Sequence, residues 1–208
     1  EQLTDLLCSI DWPRDDGAGL KLERLLIDAN WGASTQVVKR FCRQSAHSAI
    51  LTPSHGHYIG ASGRPMSTWE KKPGDRTGLN WRVRAMEAER RAVRSVTFDA
   101  NFWKTFLATR LSTPMGDRGC LSLWGEKADA HRLFADHVTS ETRVRTAGRG
   151  RECDEWRIRP ERFDNHLWDC LVGSAVAASM QGVALLETQA SAPPKKRERV
   201  SFAELKRR

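Results

Sequence analysis

The chain has 208 residues, room for one domain with a sizeable core plus tails, and 39% of them are apolar. Lysine and arginine outnumber aspartate and glutamate by 34 to 26, and the net charge of +8 with a pI near 9.6 favours a polyanionic partner such as nucleic acid. No run approaches the roughly 18 apolar residues of a membrane span, and the opening EQLTDLL has neither the basic start nor the apolar stretch of a secretory signal.

In chain order, Leu20 to Ile27 (LKLERLLI) ends in an apolar run that stops at Asp28. This reads as a buried strand delivering a carboxylate at its end. Ser34 and Thr35 can cap a helix to about Gln44 with Val37, Val38 and Phe41 on one stripe, and Ala49 to Thr52 make a short strand before Pro53. Strand, helix, strand implies an α/β layer. From Pro53 to Arg91 the pattern dissolves into Gly, Pro, Ser and basic residues, with one strand near Trp81 to Arg84. A loop of that length is either functional or a solvated insertion, and its cations interleaved with Trp69 and Trp81 suit a DNA backbone. Lys71, Lys72, Arg76, Arg82 and Arg84 are the candidate contacts, against the plain alternative of solvated charges.

Order returns at Ala92 to Phe98, a strand that again ends in an aspartate, Asp99, before a helix from about Asn101 to Leu111. Cys120 to Trp124 reads as a strand. Ala128 to Val138 reads as a helix with Leu133, Phe134 and Val138 inward, and Thr142 to Arg145 with Glu155 to Ile158 as a hairpin around Gly148 and Gly150. A last helix begins near Asn165, with Leu167, Leu171, Val172, Ala175 and Ala178 at core spacing and His166, Asp169 and Gly173 on another face. Beyond Glu187, QASAPPKKRERVSFAELKRR is a linker and basic tail.

Asp28 and Asp99 at strand ends and Asp169 on a terminal helix are expected where a sheet and a helix could converge on one point. Hard cations such as Mg²⁺ or Mn²⁺ take carboxylate oxygens, and a pair of ions about 3.5 to 4 Å apart can activate water for phosphodiester cleavage. Each aspartate taken singly also suits a turn or a helix cap. A zinc site at His55 and His57 lacks a C-x-x-C companion. The five cysteines (Cys8, Cys42, Cys120, Cys153, Cys170) are scattered and odd in number, which argues for a reducing compartment without a disulfide framework.

Read together, LLIDANWG, VTFDANFWKTFLATRL, HRLFADHVTSETRVRTAGRGRECDEWRIRP and DNHLWDCLVGSAVAA resemble the nuclease half of lambda-type phage terminase large subunits, over roughly residues 20 to 180. The ending is the most specific part, where Asn165, His166, Leu167, Trp168, Asp169 and Cys170 meet the family pattern. The resemblance implies a ribonuclease H-like α/β fold, a central mixed sheet flanked by helices with acidic ligands near its middle. It implies Asp28, Asp99 and Asp169 as ligands of Mg²⁺ or Mn²⁺, two ions, with His166 joining them as a catalytic residue. Lys104 answers a family lysine and counts among the DNA contacts, while Glu141 matches a recurrent glutamate of structural role. Residues 1–19 are then a lead-in, 20–187 the nuclease domain and 188–208 a flexible basic tail.

The activity implied is hydrolysis of double-stranded DNA in genome packaging, in the cytoplasm of the infected host. No G-x-x-x-x-G-K-[ST] loop occurs, and the chain opens on Glu1, so an ATPase motor is expected upstream on a longer polypeptide. The small terminase subunit and the capsid portal are the further partners the family implies, with Lys195 to Arg208 a portal-docking or merely solvating segment. Two rival classes remain: another ribonuclease H-like nuclease of resolvase or transposase type, separable by branched against linear DNA, and a basic DNA-binding module without catalysis, separable by metal dependence.

Overall fold

A computed structural model describes residues 1–14, 16–84, 93–125, 127–162 and 164–183. The proposed tail at 188–208, the end of the expected domain at 184–187 and part of the basic loop at 85–92 fall outside these residues.

The expected β-α-β unit is present. β3 (Leu25–Asp28) pairs in parallel with β4 (Leu51–His57), and α2 (Thr35–Gln44) forms the crossover. Before them come α1 (Gln2–Ser9) and a small hairpin of β1 (Trp12–Pro13) and β2 (Gly19–Leu20), where the sequence reading had only a lead-in. On α2, Cys42 is buried and Val37 is exposed, so the inward stripe is turned from the expected one. The strand expected to stop before Pro53 continues to His57. Proline is tolerated there because β4 pairs only with β3 at that position, its other neighbour joining from Ser54 onward.

The basic loop contributes β5 (Arg76–Gly78) and β6 (Trp81–Val83), and β7 (Val96–Asp99) follows. These complete a five-stranded mixed sheet in the order β3-β4-β7-β6-β5, whose first three strands are parallel and whose last two are antiparallel to their neighbours. α3 (Ala100–Ser112) follows β7. The expected strand at Cys120–Trp124 does not form: Gly116 and Gly119 sit at φ +93° and +85°, turning the chain, and the segment packs as an irregular connection. α4 (Arg132–Val138) then leads to the hairpin of β8 (Glu141–Gly148) and β9 (Arg151–Ile158). Its two-residue turn places both Arg149 (φ +51°) and Gly150 (φ +74°) in the left-handed region that the twist of a tight hairpin demands.

α5 (His166–Met180) closes the core. Trp168, Val172, Val176 and Met180 recur every fourth residue and pack with Trp103 and Leu107 of α3 against Trp81, Val83, Val96 and Phe98 of the sheet. Of the expected stripe, Val172 lies in this core and Leu171 and Ala175 pack against it, while Trp168 takes the place of Leu167. Leu167 is drawn toward α4 because its N–H donates to His137 Nδ1 at 3.2 Å. Leu133 of α4, expected inward, is exposed, while Val138 does reach the core. All five cysteines are free.

Candidate functional site

Asp28 ends β3 on the sheet's edge, with its carboxyl open to solvent and Oδ1 accepting from the Asn30 amide at 3.1 Å. Lateral neighbours in a sheet point the same way, so Asp28 shares a face with Ser54, its partner on β4, and with Val96 next to Ser54 on β7. That face carries the core under α3 and α5, and Leu26 on it packs into the core. Asp169 lies in the first turn of α5, the helix that packs on this face, and its side chain is 53% exposed. The Cys170 thiol registers the convergence: burial pushes its pKa up, and the charges of both Asp169 and Asp28 push it further.

Beneath Asp169 lies a buried polar network. Lys104 Nζ, on α3, donates to Glu141 Oε1 at 2.6 Å and pairs with Asp169 Oδ1 at 2.9 Å. Asn165 Nδ2 donates to the same Glu141 oxygen at 2.5 Å, while the buried Glu141 Oε2 has no partner among the described residues. Lys104 and Glu141 are 9% and 5% exposed, so each charge needs the other: an unpaired ion there would suffer a desolvation penalty of several kcal/mol. Three segments that the sequence offered separately, around Lys104, Glu141 and Asn165 to Asp169, thus form one connected unit. Glu141 carries more weight here than its surroundings in the sequence suggested, because a strand-start glutamate gives no outward sign of its partners.

Asp99 does not join this group, which corrects the expected three-aspartate cluster. It pairs with His57, three residues beyond Ser54 on β4, so alternation sends its side chain to the opposite face. Three residues along the strands and two strands across amount to about 14 Å from the Asp28 position. The carboxyl of Asp99 is instead the buried N-cap of α3, accepting from the Phe102 amide at 3.1 Å. Burial raises its pKa, opposed by the amides of Phe102 and Asn101 and by the charge of Arg151.

Other expected residues are also placed elsewhere. His166 is turned to Asp164, 3.3 Å from its Nε2, and points to solvent. Arg82 is no free phosphate contact: its guanidinium is buried against Asp75 and the Glu70 carbonyl. Lys104 is likewise withdrawn from the surface by its two carboxylates. Lys71, Lys72, Arg76 and Arg84 are exposed. Lys71 lines an open cavity of about 360 Å³ beside β5 and β6 with Trp69 and Trp81.

A brace around Asp28 went unread in the sequence. Asn30 Nδ2 donates to the Gly56 carbonyl at 3.0 Å, its Oδ1 meets His55 Nδ1 at 3.1 Å, and Thr35 Oγ1 donates to the Ala29 carbonyl at 2.6 Å. The His55 pKa is lowered by burial first and then by the charges of Lys39 and His57, with Asp28 acting in the other direction. His55 is therefore an orienting partner of the Asp28 loop. Its neighbour in the H-G-H run, His57, stands three residues from Ser54 on the same strand.

Among the described residues, no three His, Cys, Asp or Glu side chains gather closely enough to cage an ion. Asp28 and Asp169 are two exposed hard oxygen donors whose charges both reach Cys170. Such a set fits Mg²⁺ or Mn²⁺ better than zinc or calcium, because Mg²⁺ keeps several waters and takes one or two carboxylates plus substrate phosphates.

Comparison with known proteins finds that residues 1–190 match the model of the family described as terminase large subunit gpA, endonuclease domain. No curated protein and no solved structure matches the chain.

Proposed function

From the premise that the chain belongs to the family of terminase large subunit gpA endonuclease domains, we propose that it cuts double-stranded DNA at the face shared by Asp28 and Asp169, with Mg²⁺ or Mn²⁺ as cofactor. The observation that carries the reading is the pair of solvent-open carboxylates from β3 and α5, backed by the Lys104–Glu141–Asn165 network. The five-stranded mixed sheet flanked by helices supports the ribonuclease H-like reading of the fold. The edge position of Asp28 differs from the central placement that the resemblance implied.

Each carboxylate is held by one oxygen and, among the described residues, has no partner at the other. Asp28 Oδ1 is tied to the Asn30 amide and Asp169 Oδ1 to Lys104, which fixes both groups and leaves their Oδ2 atoms to ligate. Lys104 also offsets the mutual repulsion of Asp169 and Glu141. When bound, the divalent ion would supply an activated water and stabilise charge on the departing oxygen. Two carboxylates provide for one hydrated ion, and the second ion expected from the resemblance lacks a third ligand in Asp99. Exposed Lys71, Lys72, Arg76 and Arg84 remain the candidates for the phosphate backbone. The motor domain, small subunit and portal stand as partners proposed from family membership, and the infected host's cytoplasm as the place of action.

The test is plasmid cleavage with Mg²⁺ or Mn²⁺. Wild type is expected to cut, EDTA to stop it, and Asp28→Asn and Asp169→Asn to lose cutting while keeping the wild-type melting temperature. Cutting in EDTA, or by either folded variant at the wild-type rate, would overturn the proposal.

A further inference from the structure

The residue that opens α5, Asn165, makes no side-chain cap, because its Nδ2 is spent on Glu141 Oε1. The first amides of a helix have no partner within the helix and need one from outside it. Here Asp164 Oδ1 accepts from the His166 amide at 3.2 Å, and His137 Nδ1 accepts from the Leu167 amide at 3.2 Å. The Asp169 amide returns to the Asn165 carbonyl at 3.0 Å, so the turn that these two acceptors hold is the one that carries Asp169.

The imidazole has a rigid mounting. His137 lies in the last turn of α4, is 8% exposed, and its carbonyl accepts from Ser140 Oγ at 2.7 Å. Ser140 is fully buried, and its own carbonyl accepts from the Arg159 amide at 2.9 Å. An amide can only donate, so His137 Nδ1 offers its lone pair and the ring proton sits on Nε2. Asp164 Oδ1 also approaches Nδ1, at 3.5 Å, but this is the longer contact and that oxygen already serves the His166 amide. A leucine would fill the same space and leave the Leu167 amide without its acceptor.

Asp169 depends on that turn. Its Oδ1 is tied to Lys104 at 2.9 Å, which fixes the side chain at one end but not the backbone that carries it. Helix ends open more readily than helix centres, and a ligand carboxylate on an open turn loses its place. Partners that orient a metal ligand are accordingly worth about tenfold to a hundredfold in metal affinity.

We infer that His137 is a positioning residue of the proposed cutting centre: it takes the Leu167 amide and so fixes the first turn of α5, and with it the carboxylate of Asp169. This rests on the reading of Asp169 as a metal ligand. His137 touches neither metal nor DNA in this role and acts only through the helix start.

The experiment uses the full chain and two measurements besides cleavage. Amide hydrogen exchange followed by NMR reads the hold on Leu167, and the EPR signal of free Mn²⁺ during a titration reads the placement of Asp169. His137→Leu is expected to speed exchange at Leu167 about tenfold or more and to weaken Mn²⁺ binding about tenfold to a hundredfold. His137→Asn, whose Oδ1 can stand where Nδ1 stands, is expected to stay within about threefold of wild type on both. His137→Phe, a ring without the acceptor, takes the place of the leucine variant if that one fails to fold. Val83→Ala, a core substitution on β6, which carries no group of the network around Asp169, controls for lost stability: a lowered melting temperature with wild-type Mn²⁺ binding is expected. Exchange at Leu167 unchanged in the folded leucine or phenylalanine variant overturns the inference, as does Mn²⁺ binding there within about twofold of wild type or an asparagine variant as weak as the leucine one. Wild type that binds no Mn²⁺ overturns the cutting centre itself and this role with it, whereas normal wild-type binding beside an indifferent His137→Leu overturns the role alone.

Discussion

Asp28 and Asp99 occupy the same kind of place in the sequence, the last residue of an apolar strand followed by a helix or turn, yet the fold uses them in opposite ways. Asp28 stays open to solvent on the face that receives α5, and its charge and that of Asp169 both act on the Cys170 thiol. Asp99 is buried on the other face and spends its carboxyl on the first turn of α3. A strand end supplies a carboxylate, and the pairing register decides whether that carboxylate faces a site or caps a helix.

The strongest way to break this comparison is cleavage by the two asparagine variants. Asp28→Asn is expected to lose more than about a hundredfold in rate, beyond what loss of a supporting partner costs a metal site, whereas Asp99→Asn is expected to keep cutting. A cleavage assay in which Asp99→Asn is as dead as Asp28→Asn, with both folded, would put Asp99 back into the site.

Next in size is the buried pair below Asp169. Lys104→Met leaves Glu141 charged and buried without a counter-charge, with only Asn165 still donating to it, for which a loss of about 3 to 5 kcal/mol is expected in urea denaturation. Lys104→Met combined with Glu141→Leu should recover much of that loss without recovering cleavage. Equal stability of the single variant and the wild type would show that the network does not hold α3 to β8.

A smaller effect sharpens the role of Asp99 as a cap. Asp99→Ala is expected to cost about 1 kcal/mol, the usual worth of an N-cap, read from the same denaturation curves. Its titration has a definite sign. Because the folded pKa is raised above the ordinary value near 3.8, the native state binds the proton more readily, and acidification through that raised pKa favours the fold.

Glu155 does the reverse. Hydrogen bonds from Tyr58, Thr146 and the Ala61 amide, with Arg157, hold its pKa down to about 2 from 4.5. Its contribution is complete above pH 4.5 and disappears as pH falls from there toward 2. Stability curves of Glu155→Gln and Asp99→Asn against pH should therefore differ from wild type with opposite slopes in the acid range. Slopes of the same sign would mean that one of these environments is wrongly understood. The smallest effect is expected for His166→Ala, which removes only an exposed partner of Asp164 and should cut within about twofold of wild type.

Local pattern made much of the architecture legible. The apolar run before Asp28, the capped stretch Thr35–Gln44, the hairpin around Gly148 and Gly150, and the helix entered through Asn165 all follow from period and turn chemistry in contiguous residues. Strand Cys120–Trp124 was misread because two glycines outweighed a short apolar run. Of the stripe expected on α5, Val172 is in the core and Leu171 and Ala175 pack against it, while its centre shifts to Trp168, Val172 and Val176 because the tryptophan buries more surface than the leucine beside it. Arg82 looked like a phosphate contact because nothing in its neighbourhood announced that Asp75 folds back onto it.

The sequence by itself determined the basic charge, the α/β alternation, two strand-end carboxylates and a helix-borne third, since each depends on neighbours within a few positions. Only the tertiary structure decided that α5 packs over the face that carries Asp28, that Asp99 is a cap, and that Lys104 answers Glu141 across 37 residues. Those outcomes turn on strand register and on which side of the sheet each helix covers. Side chains alternate with every residue, so a short run records that a carboxylate is present without recording which partners the other elements will bring to it.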